Sequence, residues 1–159
     1  MNKPLDIFEL PENPQGLFGA ERKYDIHTGI DFYCNEGDPV YSIEDGVVSK
    51  ITQFTGEKVG SPWWNDTYAI MIKGSYLFLY GEVKPIVSVG DYVNSGQVIG
   101  NVIPVLKKDK GLPMNMLHLE LYELDYNGDG VIWNFNSDKP KKLLDPTNIV
   151  KELKKMFAH

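Results

Sequence analysis

Three histidines occur in this sequence: His27, His118 and His159. His159 is the last residue, where chains fray, so imidazole chemistry is expected from the other two. His27 opens His27-Thr28-Gly29-Ile30-Asp31-Phe32, with a carboxylate four positions on. Alone, that spacing reads more readily as a polar surface loop than as a ligand pair. His118 stands in Met116-Leu117-His118-Leu119-Glu120-Leu121-Tyr122. Alternate side chains of a strand share a face. Leu117, Leu119 and Leu121 are therefore expected toward the core, and Met116, His118, Glu120 and Tyr122 on the opposite side. By itself such a histidine reads as hydrogen-bonded or solvated. Taken together, two imidazoles and one carboxylate suit a zinc ion and leave it a fourth position for water. These donors match zinc better than calcium or magnesium.

Such side chains need a scaffold, and the chain reads as short strands. Glycine and proline punctuate it, with β-branched and aromatic residues between them. Residues 39–43, 46–52, 67–73, 76–81, 97–102, 116–122 and 131–135 are the expected strands. Turn chemistry separates several, as in Glu44-Asp45-Gly46, Lys73-Gly74-Ser75 and Asn94-Ser95-Gly96. One helix is expected over residues 146–157, capped by Asp145, with Pro146 in its first turn and Ile149, Leu153, Met156 and Phe157 on one face. Trp63 and Trp64 read as a loop insertion, either a lid over a pocket or an exposed tip. Residues 1–159 are expected to form one domain.

Composition narrows the function. Hydrophobic residues make up 42% and charged residues 24%, with formal net charge −6. That is ordinary for a globular chain. Its lysines are scattered apart from a C-terminal cluster, which argues against a nucleic-acid partner. No apolar run reaches the length of a membrane span. The first residues lack the apolar core of a signal peptide, so the chain as written is expected in the cytoplasm, or outside it or in a phage if trimmed or released by another route. The single cysteine, Cys34, allows no intrachain disulfide and reads as a structural thiol rather than a ligand.

Longer stretches bear a family resemblance. Phe18-Gly19, His27-Thr28-Gly29-Ile30-Asp31-Phe32, Gly37-Asp38-Pro39-Val40 and Asp45-Gly46-Val47-Val48 resemble the opening of the lysostaphin-like zinc endopeptidases. Tyr80-Gly81, Val89-Gly90-Asp91-Tyr92-Val93, Ser95-Gly96-Gln97-Val98-Ile99-Gly100, Met116-Leu117-His118-Leu119-Glu120 and Leu144-Asp145-Pro146 follow in the family's order. The resemblance spans residues from about 18 to 150. It implies a mostly β fold, a compact antiparallel sheet or sandwich of the duplicated hybrid motif type with a C-terminal helix. It also implies one zinc held by His27, Asp31 and His118, and a peptide substrate such as a cell-wall peptide.

Two positions depart from the family. Its Tyr-Ala/Gly-His-Leu histidine is Glu82 here, and the first histidine of its His-x-His is Met116. In the family those histidines orient the attacking water, take up its proton and stabilise the oxyanion. A thioether is at best a weak acceptor. Glu82 can accept a proton, although its ordinary pKa is near 4.3 and a nearby zinc lowers it further. Losing an oxyanion donor costs about 10²–10³ in rate, and losing an acid–base group about 10²–10⁴. The expectations are weak or altered peptidase activity with Glu82 as the base, or a catalytically inactive zinc-containing domain that holds a peptide or a protein. A biotinyl or lipoyl carrier is a third reading suggested by residues 89–100, but no hairpin lysine in a short apolar motif supports it. Asp125, Asn127 and Asp129 begin a loop like a calcium site, yet position twelve is Asn136 rather than glutamate, so a β-turn is preferred over calcium.

Overall fold

The computed structural model describes residues 1–157; His159, expected to fray, lies outside them. Its strands are β1 (Asp25–Ile26), β2 (Ile30–Tyr33), β3 (Pro39–Tyr41), β4 (Gly46–Thr55), β5 (Thr67–Lys73), β6 (Leu77–Pro85), β7 (Tyr92–Val93), β8 (Val98–Val102), β9 (Met116–Tyr122), β10 (Trp133–Asn134) and β11 (Leu143–Leu144), followed by helix α1 (Thr147–Met156). Nine strands form one antiparallel sheet in the order β11-β9-β6-β5-β4-β7, with β2 also on β9, and β8 carrying β3 against β6. β1 and β10 make a separate pair. The mostly β antiparallel architecture with a C-terminal helix is the one expected.

The sheet buries both faces unequally. Ile30, Phe32, Phe78, Tyr80, Leu117, Leu119 and Leu121 join the main core, which Leu5 and Phe8 and then Val150 and Leu153 of α1 close from outside the sheet. The opposite face of β6 and β9 is not left to water. Leu77, Leu79, Tyr122 and Leu143 form a second cluster with Ala69 and Met71, and Phe18, Phe54, Tyr126, Val131 and Trp133 pack on it. Leu117, Leu119 and Leu121 thus face the core as expected, while His118, Glu120 and Tyr122 face a second buried layer.

Residues 67–73 and 116–122 are strands over the expected bounds, while 46–52 and 76–81 extend to Thr55 and Pro85. Residues 131–135 shrink to Trp133–Asn134, because Gly130 turns the chain at φ +126° and Ile132 is exposed. The helix begins one residue later than expected. Pro146 takes the capping position, and Asp145 acts just ahead of it, its Oδ1 accepting from the Thr147 backbone N–H at 2.9 Å. Val150 and Leu153 form the buried stripe, whereas Met156 is exposed.

Candidate metal centre

Strand pairing brings the chemistry together. β2 and β9 run antiparallel with Asp31 opposite His118, and on the other side of β9 His118 lies opposite Gly81. Directly paired residues have Cβ atoms about 4.5–5.5 Å apart, so neighbouring side chains on one face meet. Gly29 permits this approach: a Cβ there would lie 2.3 Å from the Leu119 carbonyl oxygen. His27 arrives from a tight hairpin in which its N–H donates to Ala20 O and its carbonyl accepts from Gly19 N–H, both at 2.9 Å.

The three expected ligand-bearing residues converge, with one donor atom from each inside a common 4.8 Å radius of one another, and all three are buried. His27 Nε2 lies 3.2 Å from both Asp31 Oδ1 and His118 Nδ1, and His118 Nδ1 lies 2.9 Å from Asp31 Oδ1. Both rings have their far nitrogen committed. His27 Nδ1 is 3.0 Å from the Leu17 carbonyl oxygen, which only accepts, so the proton belongs on Nδ1 and Nε2 keeps its lone pair. His118 Nε2 is 2.7 Å from Glu120 Oε2, which fixes its proton the same way and turns Nδ1 toward Asp31.

Three acceptors this close repel one another unless a proton or a cation sits among them. Without a cation, the electrostatics of the site favour a proton on His118. Burial alone would lower the His118 pKa, but hydrogen bonds to Asp31 and Glu120 outweigh it and hold it up to about 10. Burial would raise Asp31, yet its hydrogen bond with His118 above all keeps it well below the usual carboxylate range. Donors around a tetrahedral zinc at about 2.0–2.1 Å stand about 3.3 Å apart. The observed spacings, the fixed tautomers and the donor types all fit that ion.

A polar shell that the sequence pattern did not single out surrounds the trio. Glu120 accepts from Thr28 Oγ1 and from Tyr122 OH, each at 2.5 Å. Burial raises the Glu120 pKa, but its hydrogen bond and ion pair with His118 win and hold it low. Asp31 Oδ2 accepts from Arg22 Nη2 at 2.9 Å. The Phe54 ring lies 5.2 Å from that of His118, over a space Gly81 leaves open. Glu120 and Thr28 were legible as polar residues flanking the two histidines; Arg22 had no motif to mark it.

Glu82 reaches the site by a route the strand pattern did not foresee. Simple alternation puts it in register with Tyr76, Phe78 and Tyr80, but those rings pack in or against the main core. Instead the β5–β6 register slips, so that Tyr68 faces Val83 while Ala69 faces Gly81. Glu82 is the extra residue, with φ +69°. Such bulges re-aim side chains and recur next to active sites. Its carboxylate is buried, and Oε2 is without a hydrogen-bond partner. Burial, with the charge of Asp31 adding, pushes its pKa from the ordinary 4.5 up to about 8. That direction is opposite to the lowering a neighbouring dication would cause. Met116, half-buried, pairs with Tyr33 at the start of β9.

A pH prediction follows for the metal-free protein. A carboxyl with a higher pKa folded than unfolded gives stability that is complete below about 4.5 and is lost as pH rises through about 8. Metal-free Glu82→Gln should therefore lose less stability than the parent across that window, measured by chemical denaturation. Parallel stability curves would mean that Glu82 is not a strained buried acid.

Other expected sites take plainer forms. Lys50 Nζ donates to Asn127 O and to Asp129 Oδ1, and Lys142 Nζ to Asp125 Oδ2 at 2.8 Å. Ammonium groups thus engage the oxygens a calcium ion would need, and the loop is a turn. Cys34 is half-buried against the core, and burial pushes its pKa up to about 12, which suits an inert thiol. Trp63 and Trp64 are 59% and 37% exposed and pack edge to face on each other, which is the exposed tip rather than the closed lid. A pocket of about 200 Å³ lies elsewhere, lined by Tyr76, Ile149, Leu153 and Met156 among others. Among the described residues, no helix is long and apolar enough to cross a membrane.

Comparison with known proteins agrees with the fold. The catalytic domain of the antimicrobial peptidase lysostaphin from Staphylococcus simulans superposes with TM-score 0.56 at 22% identity, over 86% of this chain and 89% of that one. Against the longer lysostaphin chain the TM-score is 0.54 at 23% identity, over 83% of this chain but only 47% of that one. LytU gives TM-score 0.56 at 21% identity, over 88% of this chain and 83% of that one. At such identities the likeness is one of fold. Comparison with curated protein sequences gives no match. The sequence itself matches the pattern of peptidase family M23 over residues 25–131, two thirds of its length, and the chain belongs to that family.

Proposed function

We propose that this chain is a zinc-binding M23 domain that cleaves cell-wall-type peptides slowly, with His27, Asp31 and His118 as the metal ligands and Glu82 as the proton acceptor. The observation that carries the reading is the trio of converging ligand atoms, with the far nitrogen of each imidazole already held by an acceptor. A bound zinc would supply Lewis-acid polarisation of a peptide carbonyl. The chain's own residues supply the rest. Glu120 holds the His118 ring, and the Leu17 carbonyl holds that of His27. Glu82 presents a buried carboxyl oxygen with no hydrogen-bond partner, which can receive a proton once a bound cation has drawn its raised pKa down. Met116 donates nothing, so a negative charge developing on a substrate oxygen lacks the help a histidine there would give.

A second reading is a catalytically inactive domain that keeps zinc and holds a peptide or a protein partner. Met116 and the exposed Trp63 and Trp64 favour it, because aromatic side chains are common anchors in binding surfaces. One preparation decides between the two. Mass spectrometry should find about one zinc per chain, and glycine-rich or cell-wall peptides should be cut slowly, with the activity lost on chelation and in Glu82→Gln. Zinc without cleavage above the chelated blank would move the assignment to the binding reading. Absence of zinc would end both.

A further inference from the structure

The sequence holds 16 basic residues, and a single one of them, Arg22, is an arginine. It sits in the hairpin that delivers His27. Its backbone N–H donates to Asp25 O at 2.9 Å, in the turn between Glu21 and Ile26, which bridge to each other. From there the side chain reaches back over the site. One terminal nitrogen, Nη2, donates to the Gln15 carbonyl oxygen at 2.6 Å and to Asp31 Oδ2 at 2.9 Å. The first contact ties the guanidinium to the chain just after Asn13 and Pro14, so it does not swing freely. The second engages the Asp31 oxygen that does not face the imidazoles.

The division of labour on Asp31 is the informative point. Oδ1 lies 3.2 Å from His27 Nε2 and 2.9 Å from His118 Nδ1, while Oδ2 is given to Arg22. A free carboxylate can offer both oxygens to a cation. Larger, harder cations such as calcium favour that two-oxygen mode, whereas a tetrahedral zinc site takes one oxygen beside its nitrogens. A guanidinium is planar and permanently charged, and its Nη2 here donates in two fixed directions, to Gln15 O and to Asp31 Oδ2, whereas a lysine ammonium is a freely rotating point charge. The neighbourhood also needs a cation, since Asp31, Glu82 and Glu120 are all buried there.

We infer that Arg22 is the positioning residue of this metal centre: by holding Asp31 Oδ2 it makes Asp31 a one-oxygen ligand and thereby sets the centre's preference for a four-coordinate ion. The inference rests on the zinc reading above but concerns a different quantity, the geometry and choice of ion.

The test uses the full chain with Arg22→Met and Arg22→Lys, and the metals themselves as probes. Zinc affinity is measured by competition with a chromophoric chelator. Cobalt(II) is substituted for zinc, and its visible absorption is recorded, because four-coordinate cobalt absorbs far more strongly than five- or six-coordinate cobalt. Arg22→Met should lower zinc affinity about 10–100-fold, as losses of outer-shell partners do. Its cobalt absorption should weaken as Asp31 becomes free to bind through both oxygens, and the zinc-over-manganese preference should narrow. Arg22→Lys, which keeps the charge and not the planar geometry, should fall between Met and the parent in all three. Melting of the metal-free proteins checks that each variant is folded, and if Arg22→Met is not, the lysine variant decides. Folded variants with parental zinc affinity and an unchanged cobalt spectrum would overturn the role of Arg22 and leave zinc binding intact. A parent that takes up neither metal would instead overturn the zinc reading itself.

Discussion

Glu82→His combined with Met116→His is expected to raise cleavage of glycine-rich or cell-wall peptides by at least about two orders of magnitude over the parent. The backbone already favours the first change. Glu82 sits at φ +69° in a bulge, a region in which histidine is several-fold enriched among non-glycine residues. The bulge turns the side chain at 82 toward Asp31 and His118 instead of the core occupied by Phe78 and Tyr80. Met116 is on the His118 side of β9, two residues away and opposite Tyr33. An imidazole at 82 can take a proton near neutral pH without a buried charge to neutralise, and one at 116 can donate to a developing oxyanion. Each single variant should recover much less, because groups acting as a unit are not additive. Peptide cleavage at matched zinc content is the measurement. A double variant that holds full zinc and gains nothing would show that the groove no longer presents a peptide bond to the metal.

How much of this could be read from the sequence depends on how local each signal was. His118 and its strand were legible because leucines at every second position mark a face, and residues 116–122 form that strand. The ladder that sets Asp31 beside His118 was not legible in the same way. β2 is only four residues long, begins at Ile30 just after Gly29, and is specified by its neighbour β9 as much as by its own residues. Family order, and not periodicity, joined the two.

The misses share a physical cause, which is tertiary contact overriding a local pattern. A one-residue bulge reverses which side Glu82 faces, and no residue type in Tyr80-Gly81-Glu82-Val83 announces it. Tyr122 reads as the polar end of a strand, yet it is buried because Tyr126 stacks on it at 4.2 Å and Glu120 takes its hydroxyl. Arg22 lies five positions before His27 with no motif around it; its being the one arginine was the available signal. The 125–130 loop shows the converse. Its spacing suggested a cation, and the cations that arrive are the ammonium groups of Lys50 and Lys142, from elsewhere in the chain.

His118→Ala and His27→Ala are each expected to reduce zinc from about one per chain to a small fraction, a loss larger than the roughly 10–100-fold expected for outer-shell changes. Each removes one of three protein donors, and two donors do not hold zinc in competition with water and buffer. The two variants should nevertheless differ in the metal-free state. His118 is the shared partner of Asp31 at 2.9 Å and Glu120 at 2.7 Å. Its removal leaves both carboxylates buried without the charge that offsets them, and breaking a buried ion pair from one side costs about 3–5 kcal/mol. His27 leaves behind a backbone carbonyl and an Asp31 that Arg22 and His118 still hold. Metal-free His118→Ala should therefore melt well below metal-free His27→Ala, although both have lost the ion. His118→Ala with Glu120→Gln should recover part of the difference, because a neutral amide at 120 can accept from one of the Thr28 and Tyr122 hydroxyls and donate to the other, without an uncompensated charge. Metal analysis and calorimetry on the same samples separate the two effects. Full zinc retention in either single variant would remove that histidine from the ligand set, and equal melting temperatures would mean that the buried carboxylates find their compensation elsewhere.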